Sequence, residues 1–331
     1  MRAAPEKVTV YTVAKRAGVS ISTVSLALNA PHRVSEATRQ RVVDAATALG
    51  YRSGRGGRSP ESGALRIAVA APFTSYSSYY RRLSGMLAVE ATANVELLAH
   101  DLDSAASATS PLLDALPARP GVDGLIVMGV PPGGAALRAA RQARMPMVLV
   151  DVRRESAALD DLPTVLVDDE RGGRLIGEHL RDRGHRRAVF VHERQLSRDY
   201  LSSGMLRVRG LRGGLELVDL PITPGEDFDD RLVATVRADR AVTAVVANHD
   251  LLAAGVWRAL THAGMSVPDD VALVGYDDGD LAATLDLTTV RQPFEQSGRT
   301  ALDVLLSVIA GRDSHISRIE LLPELVVRST T

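Results

Sequence analysis

Two groups of residues in this 331-residue chain have types and spacing suited to chemistry. The first lies on Ile21–Asn29, where helical spacing puts Val24, Ala27 and Leu28 on one side and Ile21, Ser22, Ser25, Leu26 and Asn29 on the other. The second is a set of polar groups at the ends of apolar runs. Asp151 follows Met147–Val150 directly, and Asp277 comes shortly after Val271–Val274. Carboxylate acceptors and forked donors at strand ends, held by dry walls, suit a polyol or a similar ligand. Tyr76, Ser77, Ser78 and Tyr79 open a helical stretch after Pro72 and can stack on such a ligand or bond to it. Structural alternatives stand beside these readings: Asp151 as a helix or turn cap, and the tyrosines as lobe packing. Asp278 and Asp280 lack the spacing of a calcium loop and read as turn and cap residues. Asp168 and Asp169 read as caps of a helix from Glu170. Nothing points to turnover. The chain has no G-x-S-x-G, H-E-x-x-H or G-x-x-x-x-G-K-[ST] motif, no cysteine, and eight histidines without metal-ligand spacing. Neither an enzyme nor a metal site nor a cofactor is expected.

The elements that must position these groups follow from the same residues. Val10–Ala17 reads as a short helix whose Ala14 and Ala17 permit close packing. Gly18 stands at a sharp turn that favours positive φ, and Ser20 is a good N-cap for Ile21–Asn29. Ser35 caps a third helix, Glu36–Leu49, that buries Val42, Ala45, Ala46 and Leu49, and Gly50 ends it. Helix, tight turn, helix and a supporting third helix form the helix-turn-helix arrangement, whose second helix enters the major groove. The competing reading is a three-helix cap on the body. The charge distribution is uneven: residues 1–66 contain 11 Lys/Arg against 4 Asp/Glu, and residues 67–331 contain 28 against 36. A basic end on an acidic body suggests a polyanion at that end alone, with a solvated basic tail as the alternative.

Residues 52–64 have the Gly, Ser, Pro and Arg content of a linker. Beyond them come strand candidates at Leu65–Ala71, Val95–Ala99, Gly124–Met128, Met147–Val150, Thr164–Val167, Ala188–His192, Leu217–Leu220, Ala244–Ala247 and Val271–Val274. Helical stretches such as Arg171–Arg183 and Leu251–Ala263 alternate with them, which argues for parallel sheets with crossover helices. The expected fold is an all-α helix-turn-helix headpiece followed by an α/β body of two doubly wound parallel-sheet lobes, with ligands at the carboxyl ends of the strands and the inter-lobe cleft as the default pocket. No run approaches the ~18 apolar residues of a membrane span, and the N-terminus lacks a signal-peptide core. A soluble cytoplasmic protein is expected.

The run from Val8 to Arg52 closely resembles the headpiece of the lactose-repressor (LacI/GalR) family. The shared hallmarks are V-T-V-Y-T-V-A, then A-G-V-S-x-S-T-V-S, L-N, R-V-S-x-x-T-R and L-G-Y. The resemblance implies that Ile21, Ser22 and Leu26 read base edges, with Ser25 on the same face. It implies that Thr9, Tyr11, Ser20, Thr23, Asn29 and Arg33 hold phosphates. Many relatives carry Arg where this chain has Leu26; leucine cannot fork onto guanine but can pack on a thymine methyl, as can Ile21. In the family the linker forms a hinge helix on DNA with a leucine wedged into the minor groove. Here Gly54, Gly56 and Gly57 each disfavour helix by about 1 kcal/mol against alanine, and Pro60 falls about where the wedge is expected. The linker is therefore expected to act more through Arg52, Arg55 and Arg58 on phosphate or a narrow minor groove than by intercalation.

The body is similar to the sugar-binding core that this family shares with periplasmic sugar-binding proteins. The match is carried by I-A-V-A-A-P (67–72), V-D-G-L-I-V (122–127), P-M-V-L-V-D (146–151), V-D-D-E-R-G-G (167–173), A-N-H-D-L-L-A-A-G-V (247–256), V-P-D-D-V-A-L-V-G-Y-D-D (267–278) and L-T-T-V-R-Q-P (287–293). It implies a headpiece at 1–51, a hinge at 52–64 and an effector and dimerisation domain at 65–331. Its first lobe is expected at about 65–166 and 294–318, its second at about 167–293 and 319–331. The implied effector residues are Tyr76, Ser78, Tyr79, Asp151, Arg207, His249 and Asp277. Arg207 lies three residues before Gly210, at the family's position for a ligand-gripping arginine, and His249 fills a slot that often holds Asn. Arg207 can alternatively pair with Asp277 inside the lobe, and His249 can be a surface or capping residue. The stretch around Gly213–Gly214 departs from the pattern, because relatives carry a longer helix and loop there. The implied partners are double-stranded operator DNA, a sugar or related polyol effector and a second copy of the chain. The implied role is repression released or reinforced by that effector, with a regulator that uses its body only to dimerise as the alternative.

Overall fold

The computed structural model describes residues 8–51, 63–103, 110–119, 121–153, 159, 161–194, 201–223, 225–312 and 318–331. Its first helices are α1 (Val10–Ala17), α2 (Ile21–Asn29) and α3 (Glu36–Ala48). Their ends follow the chemistry of single residues. Gly18 closes α1 at φ 66°, its N–H bonded to the Ala14 carbonyl. The Ser20 hydroxyl accepts from the Thr23 N–H at 3.1 Å and opens α2, and Ser35 does the same for α3 from Thr38 at 3.4 Å. The expected inner stripe of Val24, Ala27 and Leu28 packs against Val13, Ala14, Ala17, Val42, Val43, Ala45 and Ala46. Small side chains let three short helices approach closely enough to share one core. Val43 is fully buried where Leu49 was expected, and Leu49 is only half-buried. Ala118 and Ala139, from the domain that follows, belong to the same cluster.

Downstream come β1 (Leu65–Ala71), α4 (Ser78–Glu90), β2 (Val95–Asp101), α5 (Pro111–Ala115), β3 (Gly124–Met128), α6 (Gly134–Ala143), β4 (Met147–Val150) and β5 (Thr164–Val167). After them are α7 (Asp169–Asp182), β6 (Arg187–Glu193), α8 (Ser203–Arg212), β7 (Glu216–Ile222), α9 (Asp229–Ala238), β8 (Val242–Ala247), α10 (Asp250–His262), β9 (Ala272–Val274) and α11 (Asp280–Thr284). The chain ends with β10 (Thr289–Arg291), α12 (Phe294–Ile309), β11 (Arg318–Leu321) and β12 (Glu324–Val326). All nine strands expected from apolar runs form. The last three strands have no such run, because β10 to β12 are short and half polar.

The chain folds as two compact units, Met1–Val165 with Phe294–Ile319 and Leu166–Pro293 with Glu320–Thr331. One parallel sheet runs β2-β1-β3-β4-β5 with β11 at its edge, and the second runs β7-β6-β8-β9. β10 and β12 form an antiparallel ribbon. The order 2-1-3-4 thus recurs as 7-6-8-9, each sheet reversing direction beside its first strand. Open α/β sheets bind ligands at the carboxyl ends of strands next to such a reversal.

Each unit also uses the same close helix crossing. In the second, a Cβ on Gly173 would lie 2.1 Å from the Arg207 carbonyl oxygen, and one on Gly210 would lie 2.0 Å from that of Glu170. In the first, the equivalent distances are 1.9 Å from Gly298 to Arg82 and 2.0 Å from Gly85 to Glu295. The segment around Gly213–Gly214 belongs to this device. Gly214 lies against the Gly177 backbone, where a Cβ would come within 3.0 Å.

Candidate functional site

The headpiece presents Tyr11, Ile21, Ser22, Ser25, Asn29 and Arg33 to solvent, with Thr9, Thr23 and Leu26 half-buried. Between Val10 and Asn29 there is no acidic residue, while Lys15 and Arg16 are exposed. Tyr11 is 68% and Ile21 42% exposed, so two large side chains stand outside the core at the starts of α1 and α2. The Ser20 hydroxyl meets those of Ser22 and Thr23 at 2.8 Å each. The Thr12 hydroxyl accepts from the Thr9 N–H at 2.8 Å and donates to the Thr9 carbonyl at 2.7 Å, which fixes the entry into α1. At the far end of α2, the Asn29 amide is 3.4 Å from the Ser25 hydroxyl, and Asn29 Oδ1 accepts from Arg119 Nη2 at 3.0 Å. Helix N-termini with hydroxyls and no acids are suited to phosphates, and the outward face of α2 to groove edges. Arg52, Arg55 and Arg58, with Gly54, Gly56, Gly57 and Pro60, lie outside the described residues.

In the second unit, Arg207, Asn248, His249, Glu193 and Asp277 gather where β6, β8 and β9 end. Arg207 is buried and pairs directly with Asp169. Its Nε donates to Asp169 Oδ1 at 2.9 Å, its Nη1 donates to the Asn248 carbonyl and Oδ1 at 2.5 and 3.1 Å, and its guanidinium lies 3.7 Å over the Tyr276 ring. Burial opposes the charge on Arg207, but Asp169 and, farther off, Asp277 hold it firmly protonated. Asp169 is therefore a buried counterion rather than a cap. Asp168 alone caps α7, accepting from the Arg171 N–H at 2.9 Å.

His249 is the N-cap of α10, its Nδ1 accepting from the Leu252 N–H at 3.1 Å. The proton must then sit on Nε2, which meets Glu193 Oε1 at 2.5 Å. Burial pushes Glu193 up, but hydrogen bonds from His249 and Asn248 outweigh it and bring its pKa down to about 2. Asp277 accepts from Gln292 Nε2 at 2.6 Å at φ 112°. Behind it, burial and then the charge of Asp277 push Asp250 up to about 7, against hydrogen bonds from Thr289 and Gly279. Asp278 is the ion-pair partner of Arg291 and Arg328, each at 2.6 Å.

In the first unit, Asp151 at φ 51° takes a hydrogen-bonded ion pair from Arg82, which is buried and stacks 4.3 Å over Phe294. Tyr79 reaches across to Gly129, where a Cβ would come within 1.8 Å of its hydroxyl. Its ring lies edge-on to Tyr76 at 6.2 Å. Ser78 begins α4, and its carbonyl accepts from Arg82 Nη1 at 3.3 Å. The residues that sequence reasoning missed are Arg82, Asp169, Glu193 and Asn248. Glu193 had a usable signal, since it closes β6 as Asp151 follows β4. Among the described residues, no group of three His, Asp or Glu is placed to hold a metal ion, and no helix is long and apolar enough to cross a membrane.

Residues 9–53 match the family of bacterial regulatory proteins of the lacI type, and residues 178–331 match the periplasmic binding protein-like domain. The chain is 28% identical to the HTH-type transcriptional regulator DegA of Bacillus subtilis (strain 168), over 98% of each protein. It is similar to a lac repressor dimer bound to operator and the anti-inducer ONPF, with a TM-score of 0.64 and 26% identity, covering 98% of this chain and 99% of that one. It is also similar to a LacI family transcriptional regulator from Enterococcus faecium with bound ribose, with a TM-score of 0.69 and 25% identity, covering 80% and 98%. The chain thus carries a lacI-type headpiece folded as a helix-turn-helix and a periplasmic-binding-protein-like body of two parallel sheets, and along nearly its whole length it is similar to proteins named as LacI-type transcriptional regulators.

Proposed function

We propose that the chain is an operator-binding repressor whose affinity for DNA is set by a sugar or related polyol. The observation that carries this reading is the outward face of α2, exposed and free of acids on a basic headpiece. Ile21, Ser22, Ser25 and Leu26 read bases, largely through apolar contact. Thr9, Tyr11, Ser20, Thr23, Asn29 and Arg33 set register and affinity on phosphates, with Arg55 and Arg58 of the hinge adding charge. The headpiece ends at residue 51 and residues 52–64 link it to the body. The chain acts in the cytoplasm as a homodimer, because two half-sites at fixed spacing need two headpieces.

The effector is met in the second lobe by Arg207, His249 and Asp277, joined by Asn248 and Glu193. In the first lobe it is met by Asp151, Tyr76, Ser78 and Tyr79. A ligand shifts operator affinity only by the difference in its own affinity for the two states of the protein. The test is selection of duplexes from a random pool by the full chain, followed by release or tightening on the selected duplex across a panel of neutral sugars and polyols. Recovery of no preferred duplex would refute the operator reading. A preferred duplex whose binding no panel member alters would favour a body used for dimerisation alone.

A further inference from the structure

Arg119 differs from four other buried or half-buried arginines of the first unit. Arg39, Arg66, Arg81 and Arg82 each face a carboxylate, in Asp114, Glu96, Glu295 and Asp151. Arg119 is half-buried and meets no carboxylate among the described residues. Its partners are the Asn29 amide oxygen, 3.0 Å from Nη2, and His100, whose Nδ1 is 3.4 Å from Nη1. His100 gives it no counter-charge. Burial first, and then the neighbouring guanidinium, lower the pKa of His100 to about 4, so the ring is neutral at ordinary pH. A partly desolvated cation without a counterion is unfavourable unless a partner supplies one.

Its position indicates the partner. Arg119 ends the turn Leu116–Ala118, which follows α5. Ala118 of that turn packs into the headpiece core, and Asp114 on α5 lies 3.7 Å from Arg39 of α3. The lobe therefore brings this arginine to Asn29, at the C-terminal end of α2.

We propose that Arg119, a residue of the body rather than of the headpiece, is a further DNA-backbone contact, delivering its charge to the phosphate that Asn29 addresses. Asn29 Oδ1 holds the guanidinium in place, and the phosphate supplies the counter-charge that the protein does not. The proposal rests on the reading of α2 as the groove helix.

The test uses the full chain and a duplex that it selects from a random pool, with affinity measured from 50 to 200 mM KCl. Arg119→Gln and Arg119→Met both remove the charge, and Met keeps the stem, so a folding defect in one leaves the other to decide. Loss of one phosphate contact lowers the slope of log K against log salt by about 0.9 per bound subunit, so the gap between wild type and variant narrows about 3.5-fold over that range. Mixed-sequence duplex should show the same loss, because a phosphate contact carries no sequence information. A normal wild-type slope with an unchanged variant slope overturns the role of Arg119 alone, even if affinity falls, because a residue that only held Asn29 would act in that way. A wild-type chain without salt-sensitive binding overturns the reading of α2 and this inference with it.

Discussion

The Arg207–Asp169 pair permits a quantitative test of how the second unit is held together. Both side chains are nearly inaccessible, at 9% and 3% exposure, and the contact is a direct 2.9 Å hydrogen bond. Asp169→Ala leaves a buried guanidinium with the neutral Asn248 acceptors, the Tyr276 ring and the charge of Asp277, but no direct ion-pair partner in Asp169. Removing one partner of such a pair costs about 3–5 kcal/mol. For a domain of this size 1 kcal/mol lowers Tm by about 2–4 °C, so the transition of the second unit should fall by roughly 6–20 °C. Arg207→Met strands Asp169 and should cost a similar amount. The double variant Asp169→Ala/Arg207→Met removes both charges and should recover much of the loss, giving a coupling of about 3 kcal/mol or more. Asp277→Asn should cost less than Asp169→Ala, since it is Asp169 that makes the direct hydrogen-bonded ion pair with Arg207. Calorimetry of the four variants beside wild type decides the matter. A cost below about 1 kcal/mol for Asp169→Ala, or a larger one for Asp277→Asn, would show that Arg207 draws its counter-charge elsewhere. Because the headpiece lies in the other unit, duplex binding by the folded variants should persist.

Three further outcomes follow from the same geometry. Leu26→Arg should move the preferred base at its position towards guanine, with about 1–3 kcal/mol of discrimination, as read by duplex selection. Gly210→Ala places a methyl 2.0 Å from the Glu170 carbonyl oxygen and should destabilise by at least about 1–3 kcal/mol in urea unfolding. The folded-state pKa of Glu193 is about 2 against an ordinary 4.5, so its ionised form contributes stability that is fully present above 4.5 and lost as pH falls towards 2. The stability difference between wild type and Glu193→Gln should therefore shrink over that acid window, and a difference that stays constant there would show that Glu193 is not held as an ionised acceptor.

The sequence by itself determined the local elements and the family resemblance. Ser20, Ser35 and Gly18 act within a turn or two of themselves, so the limits of α1 and α2 could be read without knowing what packs against them. The nine apolar runs became strands because burial on both faces of a parallel sheet leaves an unbroken apolar signature. The tertiary structure alone decided the partners of the charged groups. Arg207 is 38 residues from Asp169 and Arg82 is 69 from Asp151, distances over which no periodicity carries information. The Asp168-Asp169 dipeptide looked like two caps. Only the crossing of α7 with α8 at Gly173 and Gly210 places the second carboxylate under the arginine. The same pair of helices also accounts for Gly214, which local sequence reads as a break and the fold uses as a contact with the Gly177 backbone. The same holds for Arg119. Its type was visible from the start, but only packing of the lobe against the headpiece sets it beside Asn29, because charges interact through space and not along the chain.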